Sequence, residues 1–432
     1  MAPVVINSIP MSSRLASGVK DFRSLHHHAH HQPQPGQSGG GSGSQPAPST
    51  GSCSVNVTNA TVTYMMPCTV GGQDFRLLID TGSSNTWVGA GQKFQPNSSC
   101  KSTRKTVVCV QSTLQQWLRC LMIASSTCRT LAMDLALLTE PNASCLSFVA
   151  KPRLTFFFHV DQGPVVLGAK GSGMPEIPNQ SFAVADTATG FQDMDGILGI
   201  GPTDLTQNTV NGMDSVPTVT DNLCKQGSIK SELIGISYEP TTGANLANGE
   251  LIFGDVDTAK CVGEITYVPI TSTSPASKYW GIDQTVTYGT SEKPILLKTA
   301  GIVDTGTTLV MIATDAFKAY QGATGATMDQ TTGLLKLTEE QFNNMQSLFF
   351  EIGGIKFELT PNAQIWPRSQ NKAMGGDENS IYCIIADMGA MSGDGLDFIN
   401  GFGWLQRFYS VYDTTNSRVG IANTPNTKAE TN

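Results

Sequence analysis

Two aspartates stand in matching surroundings. Asp80 lies in LLIDTGSSNTWV, followed by Thr81-Gly82-Ser83-Ser84, and Asp304 lies in GIVDTGTTLVMI, followed by Thr305-Gly306-Thr307-Thr308. One such stretch is ordinary turn chemistry, with Asp bonding its own backbone and Gly giving the chain room to reverse. Two copies, 224 residues apart with hydroxyls at the same offsets, imply two similar halves that each give one loop to a shared site. The chemistry open to such a pair is acid–base work on one bound water. Two carboxylates within hydrogen-bond reach of each other cannot both ionise, so one pKa rises and the pair holds one proton. The anionic member can take a proton from water while the protonated member bonds an electrophile. Which aspartate plays which part is left open by the residues alone.

The elements that must hold these loops read as strands. VTYMMPCTVGGQDFRLLID places Gly71-Gly72 between two apolar runs, and LFFEIGGIKFEL places Gly353-Gly354 between two alternating ones, so both predict hairpins. FYSVYDTTNSRVGIAN predicts a third hairpin, and ELIFGDV, ITYVPI and YWGIDQTVTYG predict further strands. Helices are expected in few places: TEEQFNNMQSLF, where Thr338 and Gln341 form a capping box, and near DAFKAYQGA and VTDNLCKQG. With 39% hydrophobic residues, 14% charged residues and 44 glycines in 432 residues, the chain reads as an all-β globular protein large enough for two domains. Residues 1–51 read as a pro-segment or linker, 52–238 as an N-terminal lobe and 239–432 as a C-terminal lobe.

Charge and targeting signals bound the function further. The net charge is −8, and Arg14, Lys20 and Arg23 against Asp21 leave the chain beyond residue 50 at −10. An acidic body argues against nucleic acid as a partner. No stretch is long enough to span a membrane, and the first apolar run is too short for a signal-peptide core, so a secreted product would need a leader that this sequence does not display. Asn56, Asn59, Asn97, Asn142 and Asn179 head N-glycosylation patterns. His26, His27, His28, His30 and His31 precede a Gly/Ser/Pro-rich stretch, and read as a tract that gains charge below about pH 6.5 rather than as a metal site. No cysteine has metal-site spacing, and neither a metal nor a cofactor is expected. Ten cysteines would allow five bridges in a secreted chain, but no pair among Cys53, Cys68, Cys100, Cys224, Cys261 and Cys383 has a telling spacing.

Taken with DGILGIGP at 195–202 and GLDFINGFGWLQRFYSVYDTTNSRVGIA at 395–422, the two loops resemble the pepsin-like aspartic peptidase family, and within it the secreted polyporopepsin type of basidiomycete fungi. The resemblance covers roughly residues 60–100 and 176–428. It implies a bilobal all-β fold with a peptide-binding cleft, polypeptide substrates, a monomer, and hydrolysis of peptide bonds at acid pH by Asp80 and Asp304. It further implies that Thr81 and Thr305 tie the loops together and that Ser83 and Thr307 bond the outer carboxylate oxygens. Gly82 and Gly306 would allow close approach of the substrate backbone, and Trp87 would brace a flap. Ile197-Leu198-Gly199 and Ile399-Asn400-Gly401 fit the hydrophobic-hydrophobic-Gly stretches that pack beside each loop, with Asn400 departing from the usual aliphatic residue.

The resemblance breaks at 101–174. The family's flap carries a Tyr-Gly-[Ser/Thr]-Gly stretch some 40–50 residues after the first aspartate, yet no tyrosine lies between Tyr64 and Tyr238. The segment turns Cys- and Leu-rich, with Cys109, Cys120, Cys128 and Cys145, and shows no strand alternation. A frame shift through TLAMDLALLTEP permits Tyr-Gly-Ser-Gly-Ser where the flap belongs, which fits a mis-spliced or frameshifted segment. The rival reading is a pepsin-fold protein without a flap that binds peptides or a partner and does not cleave.

Overall fold

The computed structural model describes residues 51–107, 157–187, 194–241, 243 and 245–432. Most of the described elements are strands, gathered into sheets of thirteen, seven and three. The thirteen-stranded sheet is drawn from residues 53–269 and from the C-terminal pair Phe408–Asp413 and Arg418–Asn423. The seven-stranded sheet is drawn entirely from residues 281–400. No helix among the described residues is long and apolar enough to cross a membrane.

The hairpins form where the glycine pairs fall. Val70 pairs with Gln73 across Gly71-Gly72, and Ile352 pairs with Ile355 across Gly353-Gly354. Both glycine pairs have positive φ at each residue, from 58° to 80°. That is the mirror-image turn whose twist matches the strands it joins. The third hairpin, Phe408–Asp413 with Arg418–Asn423, is locked at its turn end by Arg418, which donates to the buried Asp413 carboxylate at 2.8 Å.

Helices are short and capped by local chemistry. Thr338 and Gln341 cap the helix Glu339–Asn343 reciprocally, as the sequence predicts. The helix stops there instead of running to residue 349, because Asn343-Asn344 is poor helix sequence and Leu348–Ile352 alternates into a strand. Val219–Lys225 carries a second capping box, Thr218 with Asp221, and Thr314–Thr324 ends on Gly325 in the left-handed region.

Each aspartate is delivered by the same arrangement. Gln73–Asp80 runs parallel to Gly196–Gly199, with Ile79 opposite Leu198 and Asp80 opposite Gly199. Lys293–Val303 runs parallel to Phe398–Asn400, with Ile302 opposite Ile399 and Val303 opposite Asn400. The strand after each loop then returns antiparallel on the far side, Trp87 facing Ile197 and Met311 facing Ile399. Strand, loop and partner therefore repeat in register, and a large apolar core beneath them takes in Tyr64, Leu198, Phe253, Trp280, Phe402 and Trp404.

The discordant stretch 101–174 is less foreign at its ends than its composition suggests. Lys101–Thr106 and Phe157–Val166 pair antiparallel, and the second continues into pairing with Glu176–Thr187. KSTRKT escapes a pattern search because it is the sheet's outermost strand, polar on both faces. The shifted-frame tyrosine position near residue 132 lies outside the described residues.

Candidate active site

Both aspartates are buried beneath the loops that carry them, Asp80 at 3% exposure and Asp304 at 8%. Their hydrogen bonds repeat one another. The Gly82 N–H donates to Asp80 Oδ1 at 2.9 Å and the Ser83 hydroxyl donates to Oδ2 at 2.5 Å. The Gly306 N–H donates to Asp304 Oδ1 at 2.8 Å and the Thr307 hydroxyl to Oδ2 at 2.6 Å. Residue i+2 satisfies one carboxylate oxygen and residue i+3 the other, so the orientation of each carboxylate follows from its own tetrapeptide.

The two loops are also tied to each other. Thr81 N–H donates to the Thr305 hydroxyl at 3.0 Å, and Thr305 N–H donates to the Thr81 hydroxyl at 2.9 Å. Each hydroxyl then donates onward into the opposite half, Thr305 to the Ile79 carbonyl at 2.9 Å and Thr81 to the Val303 carbonyl at 3.3 Å. All four groups are fully buried, where a lost partner leaves an unpaired polar atom at about 1–3 kcal/mol. The grip fixes the separation of the two carboxylates.

The glycines have a reason beyond the expected one. A Cβ on Gly82 would stand 2.7 Å from Asp304 Oδ1, and a Cβ on Gly306 would stand 2.4 Å from Asp80 Oδ1. Neither residue has positive φ. What each glycine admits is the carboxylate of the opposite loop. The glycines beside the loops are equally constrained: Gly199 by the Asn85 backbone at 2.7 Å, Gly401 by the Leu309 carbonyl at 2.2 Å.

Electrostatics follows from this crowding. Burial, then the negative charge of Asp304, push the Asp80 carboxyl well above the usual carboxylate range; its bonds from Ser83 and Gly82 pull weakly the other way. Burial raises Asp304 as well, opposed by the bonds from Thr307 and Gly306. Protons on such a pair belong to the pair. The site therefore carries one proton over a range where separate carboxylates would carry none.

Several ties escaped the sequence reading. The Trp280 indole donates to the Ile200 carbonyl at 3.2 Å, and the Thr308 hydroxyl donates to the Val62 carbonyl at 2.7 Å, both joining the halves. Asn400, the departure from an aliphatic residue, is wholly buried and bonded to Gln284. Trp87 is buried in an apolar cluster with Met65, Leu78 and Ile197. The six cysteines among the described residues are free thiols, with Cys53, Cys68 and Cys383 buried.

Two interlocked Asp-Thr-Gly loops in a bilobal β fold define an aspartic peptidase, and the comparisons agree. The chain matches the eukaryotic aspartyl protease family over residues 63–124 and 172–424, so it belongs to that family and is an aspartic endopeptidase. It is 48% identical over 383 residues to polyporopepsin of Irpex lacteus, covering 88% of this chain and 99% of that one. It is 27% identical over 360 residues to gastricsin of Homo sapiens, covering 81% of this chain and 78% of that protein. A crystal structure of aspartic proteinase from Irpex lacteus aligns with a TM-score of 0.74 at 46% identity, over 88% of this chain and all of that one. These matches favour the peptidase over the binding-only reading. The family match pauses between residues 124 and 172, inside the stretch whose composition is discordant.

Proposed function

We propose that Asp80 and Asp304 are the catalytic dyad of this endopeptidase and that it hydrolyses peptide bonds in proteins at acid pH. The observation that carries this is the mutual approach of the two loops, so close that each glycine position abuts the opposite carboxylate. With one proton on the pair, the anionic carboxylate takes a proton from a water held between the two. The oxygen of that water bonds to the scissile carbonyl carbon while the protonated carboxyl gives its proton to the carbonyl oxygen, forming a neutral tetrahedral diol. The carboxyl now protonated passes that proton to the amide nitrogen, the C–N bond breaks, and a diol proton returns to the pair. Thr81 and Thr305 hold the loops together; Ser83 and Thr307 orient the carboxylates. Cleavage of an unfolded protein substrate at acid pH, blocked by a pepstatin-type inhibitor and absent in Asp80→Asn and Asp304→Asn, is the expected result. Substantial turnover in either variant refutes the dyad.

We take residues 52–238 and 239–432 as the two lobes, supported by a seven-stranded sheet drawn wholly from 281–400. One chain supplies both loops, so the enzyme acts as a monomer on polypeptide substrates. We further propose a secreted zymogen in which the basic residues of 1–51 oppose the acidic body and release on acidification. Deleting that segment without changing latency sinks this idea. In a secreted product, Asn56, Asn97 and Asn179 are exposed and open to glycosylation, whereas Asn59 is buried and its side-chain Oδ1 accepts the Thr61 N–H at 2.8 Å. A transcript encoding Tyr-Gly-Ser-Gly within 101–174 would supply the flap.

A further inference from the structure

The strand register makes the two halves comparable residue by residue, and one layer beneath the loops does not match. Beside Asp80, Ile79 faces Leu198; beside Asp304, Val303 faces Asn400. On the other flank, Cys68 faces Phe75 where Gln284 faces Thr299. The first half thus has Cys68 and Leu198, both buried in the apolar core, at the places where the second half has Gln284 and Asn400. Those two amides are 1% and 0% exposed. The Asn400 amide donates to Gln284 Oε1 at 2.8 Å, and the Gln284 amide donates to Asn400 Oδ1 at 3.3 Å. The same Asn400 accepts the Asp304 N–H on its backbone carbonyl at 3.1 Å.

A reciprocal amide pair does what apolar packing does not. Leucine and cysteine hold position by shape and tolerate small shifts, whereas two hydrogen bonds between planar amides fix direction and distance together. Gln284 sits on the strand hydrogen-bonded to the one that carries Asp304, so the pair clamps the strand Phe398–Asn400 to that strand's neighbour. We propose that Asn400 and Gln284 are positioning residues: their amide pair sets the Asn400 carbonyl that receives the Asp304 N–H, and so the placement of the Asp304 carboxylate against Asp80. The inference rests on the dyad reading of these two aspartates.

The test uses the full-length enzyme and three variants. Asn400→Leu leaves the Gln284 amide unpaired in the core and lowers Tm. Asn400→Leu with Gln284→Cys installs the first half's residues and restores most of the Tm, because an apolar pair replaces an apolar-compatible site without orphaned groups. Asn400→Gln with Gln284→Asn keeps an amide on each side. If the pair positions Asp304, kcat stays down about tenfold in the Leu/Cys variant despite its recovered Tm, with KM within about twofold, and the swap variant recovers most of kcat. The alkaline limb of the pH–rate profile also moves to lower pH in the Leu/Cys variant, since carboxylates held less closely couple less. A Leu/Cys variant with wild-type kcat and an unmoved limb overturns the inference, as does a swap variant as slow as the Leu/Cys one. Asp304→Asn in the same assay separates the two readings. If it is dead while the Leu/Cys variant is fully active, only the positioning role falls; if it is active, the dyad reading falls.

Discussion

The two active-site loops repeat one another bond for bond, while the layers that support them are chemically different. Asp80 and Asp304 each receive an N–H from residue i+2 and a hydroxyl from residue i+3, and each loop gives and takes one grip bond. Beneath Asp80 lie Leu198 and Cys68; beneath Asp304 lie Asn400 and Gln284. Groups that set the carboxylates are duplicated because the reaction asks the same geometry of both. The layer further away is not held to that symmetry: apolar packing supports Asp80 by shape, whereas the amide pair beneath Asp304 fixes direction and distance together.

Replacing either aspartate is the largest test of the equivalence. Asp80→Asn and Asp304→Asn should each lower kcat by at least about a thousandfold, read from initial rates on one peptide at acid pH. A gap of tenfold or more between them would break the symmetry. Gly82→Ala and Gly306→Ala come next, each losing about a hundredfold through displacement of the opposite carboxylate. The Gly306 variant should be the worse, its new methyl meeting Asp80 more closely than that of Gly82 meets Asp304. Leu198→Asn places an unpaired amide in the first half's apolar floor and should cost about 1–3 kcal/mol in denaturant unfolding. Adding Cys68→Gln offers it a partner and should return part of the loss. If it returns none, the floors are not interchangeable.

Stability against pH sharpens the comparison further. The Asp80 carboxyl is raised on folding from 3.8 to about 8, by burial first and Asp304 second. The folded state therefore binds more protons than the unfolded one between those values, and stability falls as pH rises through that window. The Asp80 contribution is fully present below about pH 3.8 and is lost as pH rises through about 8. Asp80→Asn should flatten that slope in a Tm-against-pH series, leaving the variant more stable than the parent near neutrality; an unchanged slope would mean the pair is not strained by its own charge. The smallest effect belongs to Thr81→Ser and Thr305→Ser. Each keeps the grip hydroxyl and loses one buried methyl, for about 1 kcal/mol.

What was legible in the sequence was whatever acts over a few residues. Ser83 and Thr307 reach the carboxylates three positions before them, as the family resemblance implies, and that reach lies within one tetrapeptide. Gly71-Gly72 and Gly353-Gly354 set turns that flanking alternation makes plain. Other features depend on partners far along the chain. Asn400 reads as an anomaly in an apolar stretch because Gln284, which satisfies it, is 116 residues away. Gly82 reads as serving a turn or a substrate, and its second duty, making room for Asp304, shows only with the other loop in place. KSTRKT gives no strand signal because an edge strand in water has no buried face to betray it. The early end of the helix after Thr338 was set by weak helix formers at Asn343-Asn344 together with the strand that follows, and the capping box alone shows only where the helix begins.

The order in which the sheet is assembled has a consequence for synthesis. The strand Leu233–Tyr238 lies between Leu246–Phe253 and Phe408–Asp413, and the latter is paired in turn with Arg418–Asn423. A ribosome releases the Asp80 loop long before it releases the threonine that grips it, and the closing strands emerge almost last. Every nascent chain short of residue 304 carries the Asp80 loop with no second loop opposite it. The site is therefore incomplete while the first half is being made, and its two loops can interlock only after the second has emerged.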